Sequence, residues 1–426
     1  MISWRRRWQV REYLQNSIWI IPGAFALAAF LLGREPPRAD IEAEFTRYGA
    51  EAARGLLSAL ASGMIAFTGF VFSVLLLAVT FGSNQFSPRM LRRFLRDTTT
   101  KVALGTFIAT FLYALLELRW VGSPENPDLV PNSAITISLL LLLASMFMFL
   151  RLIHRATSRL RVAAVVRGIG RDALKVIEKV YPDPLAEPGA ELGPPSGEPA
   201  VVRYRGAPAI LQSMDFNGLL SAAERAGAVI ELAPAIGDPM VEGVPLFRVY
   251  GGEIEERKLQ SSVAVGDERT LPQDPAFAFR LLADTAAKAL SPGVNDPSTA
   301  VQALDQLEAL LIELSGRQLT PGVSRDSGGA IRLRWPVPSW EDYLSLALDE
   351  ARQFGEGSIQ VSRRLRALLE RLHEIVPEPR RAAVEAKLEL VRAGADRAFA
   401  DEPDRASAAA GDPQGIGSSR EPALVD

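Results

Sequence analysis

The sequence contains no cysteine in 426 residues and only two histidines, His154 and His373. Disulfides, thiol nucleophiles and cysteine-ligated zinc are excluded. A histidine-rich metal site or a histidine-centred triad has almost nothing to draw on, so no metal site is expected. Lysine is nearly as scarce. Six of the 47 basic residues are lysine and the rest arginine, a usage that points to a GC-rich bacterial genome. The net charge of −3 lacks the basic balance that nucleic acid attracts. Also missing are Gly-x-Ser-x-Gly, Walker Gly-Lys-Ser/Thr and His-Glu-x-x-His, so an enzyme is not expected. Acidic residues cluster at Glu253/Glu255/Glu256, which reads as a solvated surface, and at Glu341/Asp342. Asp342 follows Ser339 by three residues, the spacing of a helix-starting capping box.

What is present is apolar and segregated. Hydrophobic residues make up 48% of the chain at a mean hydropathy of +0.10, alongside 23% charged residues. Four apolar windows crowd the first 160 residues and predict spans at about 13–32, 56–81, 102–121 and 133–153. Crossing a hydrocarbon core of about 30 Å takes roughly 20 helical residues. No small-residue cleavage site follows the first window and three more windows do, which argues against a signal peptide. Pro22 and Gly23 are expected to kink the first span.

Arginine sets the expected orientation. It is dense at Arg5, Arg6, Arg7 and Arg11, in the loop after the second span and after the fourth. The other two loops are richer in acid, although one of them also carries Arg34, Arg38, Arg47 and Arg54. Both termini are therefore expected in the cytoplasm of a bacterial inner-membrane protein, with Trp4, Trp8 and Trp120 at the interfaces.

The remainder predicts a cytoplasmic α+β region. Residues 161–180 read as a membrane-proximal helix. Residues 181–199 (YPDPLAEPGAELGPPSGEP) read as a flexible Pro/Gly-rich insertion. Residues 200–266 read as a small β-rich unit, in which AVVRYR, AILQSM, AVIELA and VPLFRVY are strands and DFNGLLSAAERA an inserted helix. Residues 267–400 read as a helical domain, and 401–426 as a disordered tail rich in Ala, Gly, Pro and Ser.

The stretch FSVLLLAVTFGSNQFSPRMLRRFLRD (72–97), followed by LGTFIATFLY and much later by ALSPGVNDPSTA, resembles a family of bacterial predicted membrane proteins, domain-of-unknown-function family 2254. The resemblance runs over about residues 1–395. It implies an inner-membrane helical part and a cytoplasmic part, and supplies no activity. A second resemblance lies in IGDPMVEGVPLFRV (236–249), which is similar to the hairpin of barrel-sandwich hybrid domains of the biotinyl/lipoyl type. Any small β-unit with glycine turns fits as well. Those carriers need an exposed lysine. None lies between Lys179 and Lys258, so no attached cofactor is expected.

Three sets of residues are candidate sites. In the second span Ser62, Ala66, Gly69 and Ser73 recur at spacings of 4, 3 and 4, and Thr80 continues the face. In the third, Thr106, Thr110, Tyr113 and Glu117 keep the same spacings, so each set lies on one side of its helix. These faces either line a wet path in an oligomer or pack helix against helix. The fourth span shows no such stripe and its block Leu139–Leu143 suits lipid. In SPRMLRRFLRD, Arg89, Arg92, Arg93 and Arg96 surround an apolar face, as in a short helix touching lipid headgroups or attracting anions. In LSPGVNDPSTA, residues Ser291, Gly293, Asn295, Asp296, Ser298 and Thr299 form either a ligand loop or a plain connector. Asp296-Pro297 is a good N-cap and first turn, and Gly293 is free for positive φ, which favours the connector.

The expectation is a four-span membrane domain with a mixed cytoplasmic domain. Its leading function is a homo-oligomeric channel or transport protein. The alternative is a membrane-anchored cytoplasmic sensor or scaffold without conduction. A conduit requires the two polar faces wet; an anchor requires them dry and packed.

Overall fold

The computed structural model describes residues 4–34, 48–85, 97–122, 130–159, 161–185, 193, 195–319 and 322–417. They form two compact units, residues 11–161 and a second unit built mainly from residue 162 onward.

The first unit is a bundle of α2 (Ile20–Arg34), α3 (Ala50–Gln85), α4 (Thr98–Glu117) and α5 (Asn132–Arg159), with α1 (Trp4–Asn16) ahead of it. Three helices are long and apolar enough to cross a membrane, at Ala50–Leu77, Thr98–Glu117 and Asn132–Arg155. The expected first span departs from this pattern. The chain breaks at residues 17–19, so α2 has 15 residues. At 1.5 Å per residue that is roughly 22 Å, short of a full hydrocarbon core. Pro22 sits in the first turn of α2, where a missing N–H costs little, and the break at residues 17–19 inside the expected span lies just ahead of it.

The central helix is α4, packed by α2, α3 and α5. Its apolar window is 61% buried, against 17% for α3 and 28% for α5. Small residues make this possible. Gly105 faces Phe25 and Gly33 faces Leu116 so closely that an added Cβ would stand 2.9 Å from each neighbour. Phe67 of α3 packs edge-on against Phe107 of α4 and Phe149 of α5. At its start, α4 is capped by Asp97, which accepts from the Thr99 amide at 3.3 Å and pairs with Arg155 at 3.4 Å. Phe25 lies beside Gly105 and Gly33 beside Leu116, so α2 runs parallel to α4. Arg54 reaches Val121 while Met64 packs with Phe107, so α3 runs antiparallel to α4; the Thr110–Ser145 bond and the Ala114–Ile135 packing set α5 antiparallel too.

The second unit is α+β. After α6 (Val162–Val180) come β1 (Ala200–Arg203), β2 (Ala209–Met214), α7 (Phe216–Ala226), β3 (Val229–Leu232), β4 (Pro239–Met240), β5 (Pro245–Tyr250), α8 (Glu256–Ser261) and β6 (Val263–Gly266). Then follow α9 (Pro275–Ala289), α10 (Pro297–Ser315), β7 (Gly322–Arg325), β8 (Ile331–Trp335), α11 (Trp340–Gly355), α12 (Ile359–Ile375), α13 (Glu378–Ala398) and α14 (Glu402–Ala409). One sheet has the order β1-β5-β3-β8-β7, antiparallel except where β3 meets β8; the other is β4-β2-β6. They share a core that includes Leu211, Met214, Leu219, Ile230, Phe247 and Leu333.

Four expectations are corrected here. The strands β7 and β8 fall inside the stretch expected to be wholly helical, and β8 completes the sheet beside β3. The expected 236–249 hairpin is divided, since β4 pairs with β2 and β5 with β1 and β3. The start of the insertion is pinned: the Leu185 amide donates to Gly316 O and the Gln318 amide to Asp183 O, both at the end of α10. Within the described part of the tail, Glu402–Ala409 forms α14, and Asp412 then accepts from the amides of Gln414 and Gly417, laying the chain along α12 where Arg363 O receives the Asp412 amide; residues 418–426 lie outside the described residues.

Candidate functional site

The polar stripe of α4 is turned inward. Thr106, Thr110, Tyr113 and Glu117 are all buried. The Thr110 hydroxyl is 2.8 Å from Thr106 O on its own helix, 3.3 Å from Leu141 O and 2.9 Å from Ser145 Oγ on α5. Thr106 donates to Val102 O at 2.9 Å. The Thr110 hydroxyl ties α4 to α5 inside one chain, while that of Thr106 bonds within α4.

Their partner face on α5 corrects the reading of the fourth span. Ala134, Ser138, Leu141 and Ser145 recur at spacings of 4, 3 and 4, and Ser138 and Ser145 are buried. The pattern is legible in SAITISLLLLLAS, but the five consecutive leucines hide it. Only Leu140 and Leu143 of that block are exposed, while Leu141 supplies a carbonyl to Thr110.

The small face of α3 points the other way. Ser62, Ala66, Gly69, Ser73 and Thr80 are exposed, and nothing lies within 4 Å of where a Cβ on Gly69 would stand. The hydroxyls of Ser73 and Thr80 donate to Gly69 O and Leu76 O, each at 2.9 Å. The stripes of α3 and α4 therefore do not face one another across a shared path. Gly55 and Ala59 extend the α3 stripe at the same spacings and are exposed too. Arg89, Arg92, Arg93 and Arg96 lie outside the described residues.

At the C-terminal end of α4, arginines bind backbone carbonyls. Arg119 Nη2 donates to Gly33 O at 3.0 Å and Arg34 O at 2.6 Å, and its guanidinium lies over the Trp120 ring. Arg54 donates to Val121 O and Gly122 O. The orphan carbonyls of α2 and of the turn after α4 are satisfied in this way.

The 290–300 loop has the geometry of a connector. Asp296 accepts from the Thr299 amide at 3.1 Å and the Thr299 hydroxyl at 2.6 Å, while its own amide donates to Ala289 O. Ser291 Oγ donates to Lys288 O. The Thr299 donors an anion would use are taken, and the Asp296 carboxylate repels one. Gly293 and Ser298 are exposed. The left-handed residue is Asn295 at φ 47°, not Gly293. Asn tolerates that conformation best after Gly, because its short amide bonds locally.

Three apolar helices long enough to span a bilayer, packed around hydroxyl-lined contacts, define a multi-span helical membrane protein with an appended α+β region. Residues 15–371 match the family described as "Predicted membrane protein (DUF2254)", and the chain belongs to it. It is 32% identical over 422 residues to the uncharacterized proteins Mb1321c of Mycobacterium bovis and Rv1290c of Mycobacterium tuberculosis, covering 94% of this chain and 80% of each relative. No solved structure matches the chain.

Proposed function

We propose that the chain is a homo-oligomeric sensor or scaffold anchored in the bacterial inner membrane, without enzymatic activity, holding its α+β unit and both termini in the cytoplasm. The observation that carries this reading is the contrast between two helices. The Thr106 and Thr110 hydroxyls of α4 are buried and hydrogen-bonded within one chain, whereas the small face of α3 is left open. Small residues let helix backbones approach closely in lipid, where packing rather than the hydrophobic effect drives association.

The runner-up is a channel with α3 around a central axis, favoured by the exposed Ser62, Ser73 and Thr80. One set of measurements separates the two. Full-length protein in nanodiscs is sized and then assayed for anion and cation flux. Under the scaffold reading Gly69→Leu reduces the assembly to smaller species and no preparation conducts. Thr110→Val removes the bond to Ser145 and lowers stability by about 1 kcal/mol. An unchanged assembly in Gly69→Leu sinks the α3 seam. Flux that Ser73→Ala, on the exposed face of α3, alters at unchanged assembly and stability establishes a conduit instead.

The alternating directions of α2, α3, α4 and α5 support four crossings, with α2 a short one. Reporter fusions after Arg38, Arg93, Ser123 and Arg161 are expected to report out, in, out, in. Any other order refutes the cytoplasmic placement.

A further inference from the structure

The helix that follows the last apolar span has two unlike faces. On α6 the side chains of Val165, Val166, Ile169, Ala173 and Ile177 are buried, and the helix packs on α9, on α10 and on the short 3₁₀ turn Leu271–Gln273. The exposed residues of α6 are Arg167, Arg171, Lys175, Glu178 and Lys179. Four cations at spacings of four therefore form one solvent-facing stripe, roughly 18 Å long at 1.5 Å per residue. Among the described residues, none of the four side chains is held in an ion pair or a hydrogen bond.

The elements packed against α6 do not neutralise the stripe. Asp284 of α9 pairs with Arg280. On α10, Asp305 and Glu308 pair with Arg364, and Glu313 pairs with Arg317. The turn Leu271–Gln273 carries no charge. On α6 itself Asp172 is half-buried, and Glu178 offsets one of the four exposed cations, which leaves an excess of three. An anionic partner is the complement of such a face.

The place of α6 in the chain selects the partner. Only residues 156–161 separate Arg155, where the α5 span ends, from Val162, where α6 begins. Arg161, just ahead of the helix, is exposed as well. Basic segments so close to a membrane crossing are drawn to anionic lipid, each cation adding about fivefold to the affinity for the surface. A small anion in solution touches one or two cations of a linear stripe. A layer of lipid phosphates meets all four at once.

We propose that Arg167, Arg171, Lys175 and Lys179 form a docking surface for anionic lipid headgroups, which lays α6 along the bilayer. The docking goes beyond the sensor or scaffold reading and needs only that the chain spans a membrane. Assembly through α3 and the side on which the termini lie do not enter, because a nanodisc presents the same lipid on both faces.

The absence of cysteine allows a single reporter. Glu178→Cys places a fluorophore on the stripe and leaves its four cations in place. Full-length protein is set in nanodiscs of phosphatidylcholine, or of phosphatidylcholine and phosphatidylglycerol in equal parts, each with a trace of acceptor-labelled lipid. Energy transfer is expected to be higher with phosphatidylglycerol. It falls to the phosphatidylcholine level in about 1 M salt, where the Debye length is about 3 Å. Lysine-to-glutamine replacement at one position, Lys175→Gln, lowers the docked-to-free ratio about fivefold. Glutamine at all four positions removes the difference between the lipids. Arg167→Lys with Arg171→Lys preserves it, because the charge is kept. These side chains are exposed, so the thermal midpoint in phosphatidylcholine stays that of the wild type. Equal transfer in the two lipids overturns the docking surface, as does a difference that survives the fourfold glutamine variant. Transfer that stays low in phosphatidylglycerol while the stripe retains a soluble polyanion such as heparin also overturns it, and assigns the stripe to an acidic partner in solution.

Discussion

Replacing Arg364 with methionine is expected to destabilise the α+β unit by about 3–5 kcal/mol, because it strands a buried carboxylate. Arg364 on α12 is 2% exposed, with Nε 2.9 Å from Asp305 and Nη2 bonded to Glu308 on α10. Glu308 is itself 5% exposed and keeps only Arg371, at 3.1 Å, once Arg364 is gone. The Arg371 side chain is 43% exposed, so its charge is screened by water and replaces little of the loss. Asp305 is half-exposed and can return to solvent. The control is Arg364→Met with Glu308→Leu, which removes both members of the buried pair and is expected to recover most of the stability. Denaturant unfolding of the full-length protein reads both. Equal losses in the single and double variants would mean that packing of the arginine stem, not charge, carries the effect.

Local signals in the sequence are clearest where an element's own residues decide it. Asp215, Asp274, Asp296 and Ser339 each cap the helix that begins at the next residue. The Ser339/Asp342 pair forms its capping box in both directions, at 3.1 and 2.9 Å. What stayed hidden depends on distant partners. The strand Ile331–Trp335 alternates as a strand should, but it is short and bordered by helices. Only its parallel pairing with β3 makes it part of the sheet. The tail is compositionally loose, yet Ala408 is buried and Arg363 binds Ser407 O. The two membrane stripes were legible as stripes. Their facing was not, because spacing alone cannot tell a helix at the centre of a bundle from one at its edge. Burial of α4 on several sides came from α2, whose close approach depends on Gly33 and Gly105.

The second large effect is a pH dependence at the start of α9. Asp274 is 3% exposed and caps the helix through the Phe277 amide at 3.0 Å. Arg269 holds both carboxylate oxygens, with contacts of 2.8 and 2.9 Å. Burial pushes the carboxyl up to about 6, outweighing the downward pull of Arg269 and of the Phe277 amide, while Asp238 adds to the rise. The sign follows from linkage. A carboxyl whose folded pKa exceeds its unfolded value, about 3.9, favours the folded state most when protonated. That stability is complete below the unfolded value and is lost as pH rises through about 6. Two pKa units correspond to about 3 kcal/mol. Other carboxylates drive the total in the opposite direction, Asp326 and Asp412 among them, since both are held below the usual range. The measurement is therefore a difference. Asp274→Asn retains a side-chain oxygen for the cap and carries no charge at any pH. Wild type is expected to lose about 3 kcal/mol relative to Asp274→Asn between pH 3 and 7, read by denaturant unfolding at each pH. A difference that stays flat would mean that Arg269 neutralises the carboxylate fully in the fold. A difference that grows in favour of wild type would reverse the order of burial and ion pairing at this cap.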